Sequence, residues 1–538
     1  MKNNYLLAFA SAVMLWLGWP PIPYTAPLLW VAFVPLLLAL ENVMRGSYAK
    51  KGRKIFLLGG LTGLVWNTAS IYWVYNSLAA VMPHYAAIPI SLIPFGLSAT
   101  LMALGIRLYY ELRKRHAIGW SLAALACFWI AYEYLHQSWD LAFPWMTLGN
   151  GFASTHQLVQ WYEYTGVYGG SLWIWATNIL AFLIVLSAKD KFPQAHRTKL
   201  AAALSVVILV PSAWSLVRYA SYEEHVNPAN VVVVQPNIDP YGKFGPIPPQ
   251  EQLSDLIALS QQAGQPNTEF FIWPETAIAH PFGYDEEEFR SDPMFVRIQE
   301  FLADYKNGNV LSGIESYRVY PEPTGVSSLE FNGWYYDRFN AAVLIENSAR
   351  LQFYHKSKLV PGVEKLPFGE SLAFMKPLFK AFGGATGSYG SQNEPSVFYA
   401  QSGIGAAPTI CYESIWGNYV AEYVRQGAQF IAVVTNDGWW GDTSGKDQHL
   451  AYAKLRAIEN RRWVARSANT GISAFINQRG DVVQKAGWWV PASLNQEINL
   501  NEEITFYTQT GDYLAYVALA GGLFFLASAA FKMRRRQS

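Results

Sequence analysis

The apolar residues of this chain are distributed very unevenly, and that distribution limits what it can fold into. Residues 1–219 are built from long apolar runs rich in Trp, Tyr and Leu. Residues 220–510 read as a water-soluble α/β sequence, and 513–531 turn apolar again. A bilayer core needs about 20 apolar residues per helix. Eight runs read as spans: 5–19, 26–40, 55–75, 86–110, 118–135, 168–187, 199–217 and 513–531. The first two are short enough to form a tight hairpin. Residues 1–19, with Lys2 as a basic end, have a removed leader as their alternative reading, but no small-x-small cleavage site follows the run and a span is expected. The expected organisation is a transmembrane helical domain over 1–219, a catalytic α/β domain over 220–510, and a last span with a basic tail over 511–538.

Charge placement orients these spans. Segment 41–54 carries Arg45, Lys50, Lys51, Arg53 and Lys54, and 111–117 carries Arg113, Lys114 and Arg115. Segment 188–199 carries Lys189, Lys191, Arg197 and Lys199, and the tail carries Lys532, Arg534, Arg535 and Arg536. The alternate segments 20–25, 76–85 and 136–165 contain neither Lys nor Arg. By the positive-inside rule the first group is cytoplasmic, so both termini are expected inside and 220–510 outside. The aromatic stretch 136–165 is expected to be a structured surface connection lying in the membrane interface. A formal net charge of +1 with no long basic run argues against nucleic acid as a partner.

Within 220–510, strands are expected over 231–238, 269–277, 309–317, 406–413 and 429–437, with hairpins over 340–356 and 471–486. Helices are expected over 249–264, 415–426 and 447–464, and 320–335 and 365–400 read as loops. Strands with intervening helices imply sheets covered by helices.

Cys411, in "PTICYES", is one of two cysteines. A disulfide with Cys127 is excluded by place, because Cys127 lies within a span. A zinc site lacks ligands: the soluble part has no second Cys and no HExxH-like spacing. An inert buried thiol and a nucleophile remain. An unpaired thiol in an oxidising compartment is exposed to oxidation unless it is used. Cys411 also ends a strand before a helix that Ser414 can cap, a position that favours thiolate. A thiol nucleophile needs a base and an oxyanion stabiliser. "FIWPETA" puts Glu275 at one strand end and "FYHKSKLVP" puts Lys356 at another. Each alone reads more readily as a solvated strand-end charge.

Taken together, "VVVVQPNI", "WPETA", "YHKSKLVP", "TICYES", "VVTNDGWWG" and "RAIENRRWVARSANTGIS", in this order, resemble the nitrilase superfamily of carbon–nitrogen hydrolases, and within it the membrane-embedded apolipoprotein N-acyltransferases. The resemblance covers nearly the whole chain. It implies a polytopic membrane domain of about eight spans plus a four-layer αββα domain. It also implies a triad of Glu275 as base, Lys356 as oxyanion stabiliser and Cys411 as nucleophile. A supporting glutamate falls on Glu364 by spacing, although "PFGE" offers Glu370 as well. Tyr412 and Glu413 match pocket residues, and Phe244 stands where the family commonly has a tryptophan. For Asn436 and Asp437 the expected role is turn formation. The implied reaction takes an acyl group from a phospholipid through a Cys411 thioester to the N-terminal diacylglyceryl-cysteine of an apolipoprotein, at the outer face of a bacterial inner membrane. No metal, nucleotide or other cofactor is required, and a monomer is expected. The alternative is a membrane-tethered amidase or nitrilase using the same three residues.

Overall fold

The computed structural model describes residues 2–80, 82–243, 245, 247–325, 327–369, 371 and 389–537. The chain divides into two compact units. Met1–Ala79, Pro83–Ser221 and Asp512–Ser538 form one; Ala80–Met82 and Tyr222–Gly511 form the other.

The first unit is helical, and each of the eight apolar runs folds as helix over most of its length. Among the described residues, six helices are long and apolar enough to cross a membrane. They number seven when Lys51–Ser70 and Trp73–Ala79, bent by 60°, count as one span, and the apolar helix Asn3–Leu17 is shorter. Lipid offers no hydrogen bonds, so every break in a helix must be satisfied internally. Asn178 does this between helices: its Nδ2 donates to the Leu29 carbonyl at 2.7 Å, and its Oδ1 accepts from the Phe33 amide at 2.7 Å. Residues 136–165 differ from the surface connection expected of them. They form two 3-10 segments, Pro144–Met146 and Leu148–Val159, in which Trp145, Leu148 and Phe152 are fully buried. The reason is again backbone satisfaction. Glu133 Oε1 accepts from the Leu148 amide at 2.8 Å, and the Gly149 amide donates to Ser171 Oγ at 3.1 Å. A Cβ on Gly149 would lie 1.9 Å from the Val167 carbonyl oxygen, so only glycine lets the segment in this close.

The second unit is two stacked sheets. In chain order the strands are β1 (Pro228–Gln235), β2 (Thr268–Ile278), β3 (Tyr284–Asp285), β4 (Asn309–Tyr320), β5 (Leu329–Phe331), β6 (Trp334–Glu346) and β7 (Leu351–His355). They continue with β8 (Phe398–Tyr399), β9 (Gly405–Ile410), β10 (Phe430–Thr435), β11 (Val464–Ala468), β12 (Ala474–Ile476), β13 (Val482–Lys485) and β14 (Ala492–Asn499). One sheet has the order β14-β1-β2-β4-β6-β5, with β3 on β4 and β7 on β6; the other is β13-β12-β11-β10-β9-β8. The inner faces meet at ring pairs such as Phe270 and Phe430, with centroids 5.1 Å apart. Helices Pro249–Ala263 and Pro293–Leu302 pack Leu253, Leu256, Ile298 and Leu302 on the outer face of the first sheet. Helices Gly417–Arg425 and Ser444–Asn460 belong to the second sheet's outer side. The result is an αββα sandwich, and the run "VVVV" in β1 is apolar throughout because it is covered on both faces.

One strand falls in a stretch read as a loop, and another lies where the sequence suggested no element. Leu329–Phe331 pairs with β6 around an Asn332-Gly333 turn in which both residues have positive φ (52° and 82°), a hairpin inside the stretch read as a loop. Ala492–Asn499 closes the sheet edge against β1 from Pro228↔Asn499 to Gln235↔Ala492. Its sequence, ASLNQEIN, is mostly polar because it is an edge strand.

Candidate active site

β2 and β4 are parallel, and β7 regains their direction through two antiparallel steps. The ends of β2, β7, β9 and β10 are therefore carboxyl ends. Lys356 and Cys411 directly follow β7 and β9, and Glu275 lies near the end of β2, toward the carboxyl ends where open α/β sheets bind ligands.

Glu275 sits in an irregularity of β2, where pairing with β4 breaks between Trp273 and Ile278. The next residue, Thr276, has φ of +51°, a strained conformation for a β-branched side chain. Gly313 on β4 permits the kink: a Cβ there would lie 2.5 Å from Glu275 Cα and 2.4 Å from the Thr276 nitrogen. Lys243, which is buried, fastens the turn by donating to the Glu275 carbonyl at 3.0 Å and to Thr276 Oγ1 at 2.9 Å. Burial lowers the Lys243 pKa to about 8, partly offset by Glu275 and Glu315.

Lys356 follows β7 and is 1% exposed. Its Nζ donates to Glu275 Oε1 at 3.1 Å and to Glu364 Oε1 at 2.8 Å. Asn340 Nδ2 donates to the same two oxygens at 2.8 Å each, closing a four-membered ring of side chains. Burial alone would lower the Lys356 ammonium, but the two carboxylates outweigh it and hold it well above the usual lysine range. The two acids are not equivalent. Glu364 Oε2 accepts from the Val360 amide at 2.8 Å, which ties down both of its oxygens. Among the described residues, Glu275 is held through Oε1 alone.

Cys411 has φ of +48° at the end of β9, a left-handed corner of the kind that presents a nucleophile. Burial pushes its thiol up, and the Glu275 carboxylate adds to that. The Lys356 ammonium and a hydrogen bond with Thr435 pull it back. The helix-end effect expected from sequence does not operate. Cys411 opens a single 3-10 turn, Cys411–Ile415, and the following helix begins at Gly417. Ser414 does not cap that helix; its Oγ lies 2.8 Å from both the Cys411 carbonyl oxygen and His449 Nε2.

Tyr412 and Glu413 are both buried. Tyr412 meets the Trp416 ring edge to face at 4.7 Å. Glu413 Oε1 accepts from Tyr354 Oη at 2.5 Å and from the Ser357 amide at 2.7 Å, while Oε2 accepts from the Ile410 amide at 2.9 Å. Glu413 thus binds the segment after Lys356 to the strand carrying Cys411. Phe244 and Glu370 lie outside the described residues.

Sequence reasoning missed Asn340, Lys243 and His449, and assigned Asp437 to a turn. Asp437 is fully buried instead: it pairs with Arg466, lies 2.9 Å from His449 Nδ1, and accepts from Thr435 Oγ1 at 2.9 Å. Burial would raise its carboxyl, but Arg466 foremost holds it down at about 2. The available signal was "TND" at the end of an apolar strand, where an acid cannot stay unpaired.

A two-sheet sandwich with a cysteine and a lysine just past two strand ends and two glutamates bonded to that lysine is a carbon–nitrogen hydrolase domain, here carried by a polytopic membrane chain. Residues 230–505 match the carbon-nitrogen hydrolase family, and residues 11–180 match the apolipoprotein N-acyltransferase N-terminal domain. An apolipoprotein N-acyltransferase of Chlorobaculum tepidum is 30% identical over 545 residues, covering 99% of this chain and 98% of that protein. One from Geobacter metallireducens is 30% identical over 543 residues, covering 99% and 96%. Among solved structures, a nitrilase-superfamily amidase from Nesterenkonia AN1 covers 54% of this chain and 96% of its own, with 16% identity and a TM-score of 0.35. The chain belongs to the apolipoprotein N-acyltransferase family.

Proposed function

We propose that this acyltransferase moves a fatty acyl group from a membrane phospholipid to the N-terminal amine of a diacylglyceryl-apolipoprotein, through a thioester on Cys411. The observation that carries the residue assignment is the ring of Glu275, Lys356, Glu364 and Asn340, in which Glu275 is held through one oxygen among the described residues and its carboxylate acts on the Cys411 thiol.

Glu275 takes the thiol proton and the thiolate attacks the ester carbonyl. Lys356 stabilises the tetrahedral oxyanion. The carbon–oxygen bond breaks, and the departing lysophospholipid alkoxide receives the proton from Glu275. The acceptor amine then attacks the thioester and Glu275 takes its proton. The carbon–sulfur bond breaks to leave an amide, and the thiolate is reprotonated. A thiol raised by burial is a poor nucleophile until a base removes its proton, which gives Glu275 its task. Glu364 anchors Lys356, and Glu413 holds the two strand ends together.

The membrane part has an energetic reason. Each methylene drawn from lipid into water costs about 0.8 kcal/mol, so a typical acyl chain costs roughly 12 kcal/mol. A thiol at the bilayer surface avoids that extraction for both substrates. Charge placement in the loops supports a cytoplasmic-membrane location with the catalytic domain outside and both termini inside.

Incubating the purified full-length protein with labelled phospholipid and mapping the adduct by mass spectrometry tests the reading. An acyl group is expected on Cys411, stable until a diacylglyceryl-lipopeptide is added. Label on no cysteine, or rapid release as free fatty acid without acceptor, would refute the transferase mechanism; the second outcome favours the amidase-like hydrolase.

A further inference from the structure

Cys411 also borders a chain of polar side chains that includes neither Glu275 nor Lys356. β9 and β10 run parallel with Ile410 opposite Val434, so the residues that follow, Cys411 and Thr435, lie at adjacent strand ends. Thr435 is fully buried. It donates to Asp437 Oδ1 at 2.9 Å, and the strand register sets it beside Cys411. From Asp437 the chain continues to His449 Nδ1 at 2.9 Å, from His449 Nε2 to Ser414 Oγ at 2.8 Å, and from Ser414 to the Cys411 carbonyl at 2.8 Å. The network therefore begins beside Cys411 and returns to its main chain. Ser414, His449 and Asp437 have the order of a hydrolytic triad, but all three are buried at 1% exposure or less, so no substrate reaches the hydroxyl.

A hydroxyl has one proton to give. While Thr435 donates to Asp437, it can only accept from the thiol S–H. Once Glu275 has removed that proton, the sulfur becomes an acceptor, and the Thr435 O–H can turn to it. Asp437 can release the hydroxyl because Arg466 and His449 still face it. We propose that Thr435 is a catalytic hydroxyl that transfers its hydrogen bond from Asp437 to the Cys411 thiolate, with Asp437, His449 and Arg466 as the positioning group that lets it go. This inference rests on Cys411 being the nucleophile. The charged groups acting on the sulfur are Glu275 from β2, Lys356 after β7 and Asp437 after β10. Glu275 and Asp437 oppose the thiolate, and Lys356 is the one charge that favours it. A neutral donor on the Asp437 side stabilises the thiolate without adding a second cation that would hold the acyl carbonyl in the ground state.

The test is the rate at which iodoacetamide alkylates Cys411 in the full-length protein in detergent, followed at the Cys411 peptide so that Cys127 does not contribute. Thr435→Val, close to isosteric, is expected to slow alkylation about tenfold or more near pH 8 and to move its midpoint upward. Thr435→Ser, which restores the hydroxyl, is expected to stay within about twofold of the parent. A parental rate and pH profile in Thr435→Val would overturn the proposal. So would Thr435→Ser as slow as Thr435→Val, since the methyl group would then be what matters. If valine prevents folding, Thr435→Ala against Thr435→Ser reads the same difference. Alkylation needs neither lipid nor acceptor, so the acyl-adduct experiment decides independently whether Cys411 carries the acyl group.

Discussion

The two units differ in what their buried polar groups accomplish. In the helical unit, polar side chains hold backbone: Asn178 holds a carbonyl and an amide of the neighbouring segment, and Glu133 accepts the Leu148 amide. In the sandwich some do the same, as Glu413 does, but others gather into ionic clusters. Glu275, Lys356, Glu364 and Asn340 close a ring, and Asp437, His449, Arg466 and Thr435 form a second cluster. Satisfying backbone in lipid fixes geometry and little else. Gathering ions in one desolvated place fixes geometry and also sets proton affinities, which chemistry needs. Substitutions in the sandwich clusters should therefore change activity and its pH dependence, whereas those in the helical unit should change stability alone.

The largest effect is expected from Cys411→Ala, which should abolish both the phospholipid adduct and amide formation while leaving the thermal midpoint nearly unchanged. Lys356→Met comes next. It leaves the oxyanion without its stabilising cation and Glu275 and Glu364 without the group that joins them. Activity should fall about 10²–10³-fold. Asn340→Leu breaks the ring at its neutral member. A loss of about 10–100-fold in turnover is expected, with little change in substrate KM, because Asn340 faces the carboxylates.

Asp437 gives a pH test of stability. Its folded pKa of about 2 lies below the ordinary aspartate value, so its contribution is complete at neutral pH and is lost as pH falls from about 4 toward about 2. Acid unfolding of the sandwich, followed by tryptophan fluorescence, should move to higher pH in Arg466→Met. The smallest effect belongs to the helical unit. Asn178→Ala should cost about 1–2 kcal/mol of stability in detergent at unchanged turnover per folded molecule. A change in its rate-profile pH limbs would break the distinction between the units.

Legibility in the sequence followed the same division. The membrane helices and the central strands were readable because burial in lipid or between two sheets leaves an unbroken apolar run, as in "VVVV" of β1. Glu275, Lys356 and Cys411 stood out because a polar residue at the end of such a run has no packing role. Glu364 was placed by spacing, and the structure sets it on Lys356 at 2.8 Å. Asn340 had no comparable signal: it opens the buried half of β6, and its partners are 65 and 24 residues away. His449 lies inside a helix whose pattern reads as packing. The edge strand β14 was invisible because one exposed side removes the apolar run that marks a strand. Residues 136–165 were misjudged for a related reason: aromatic side chains look alike at an interface and in a core, and only the Glu133 and Ser171 contacts decide between them.

The pairing of β14 with β1 bears on how the domain comes into being. Strands 228–235 and 492–499 are the first and last of the sandwich, and they lie side by side. During synthesis the opening strand waits with a bare edge until some 250 further residues have emerged, a count of the order separating the two strands. A chain interrupted before residue 492 would already hold Glu275, Lys356 and Cys411, yet lack the closing edge. Such fragments should be sticky and inactive, and a separately supplied ASLNQEIN peptide should bind them by strand addition.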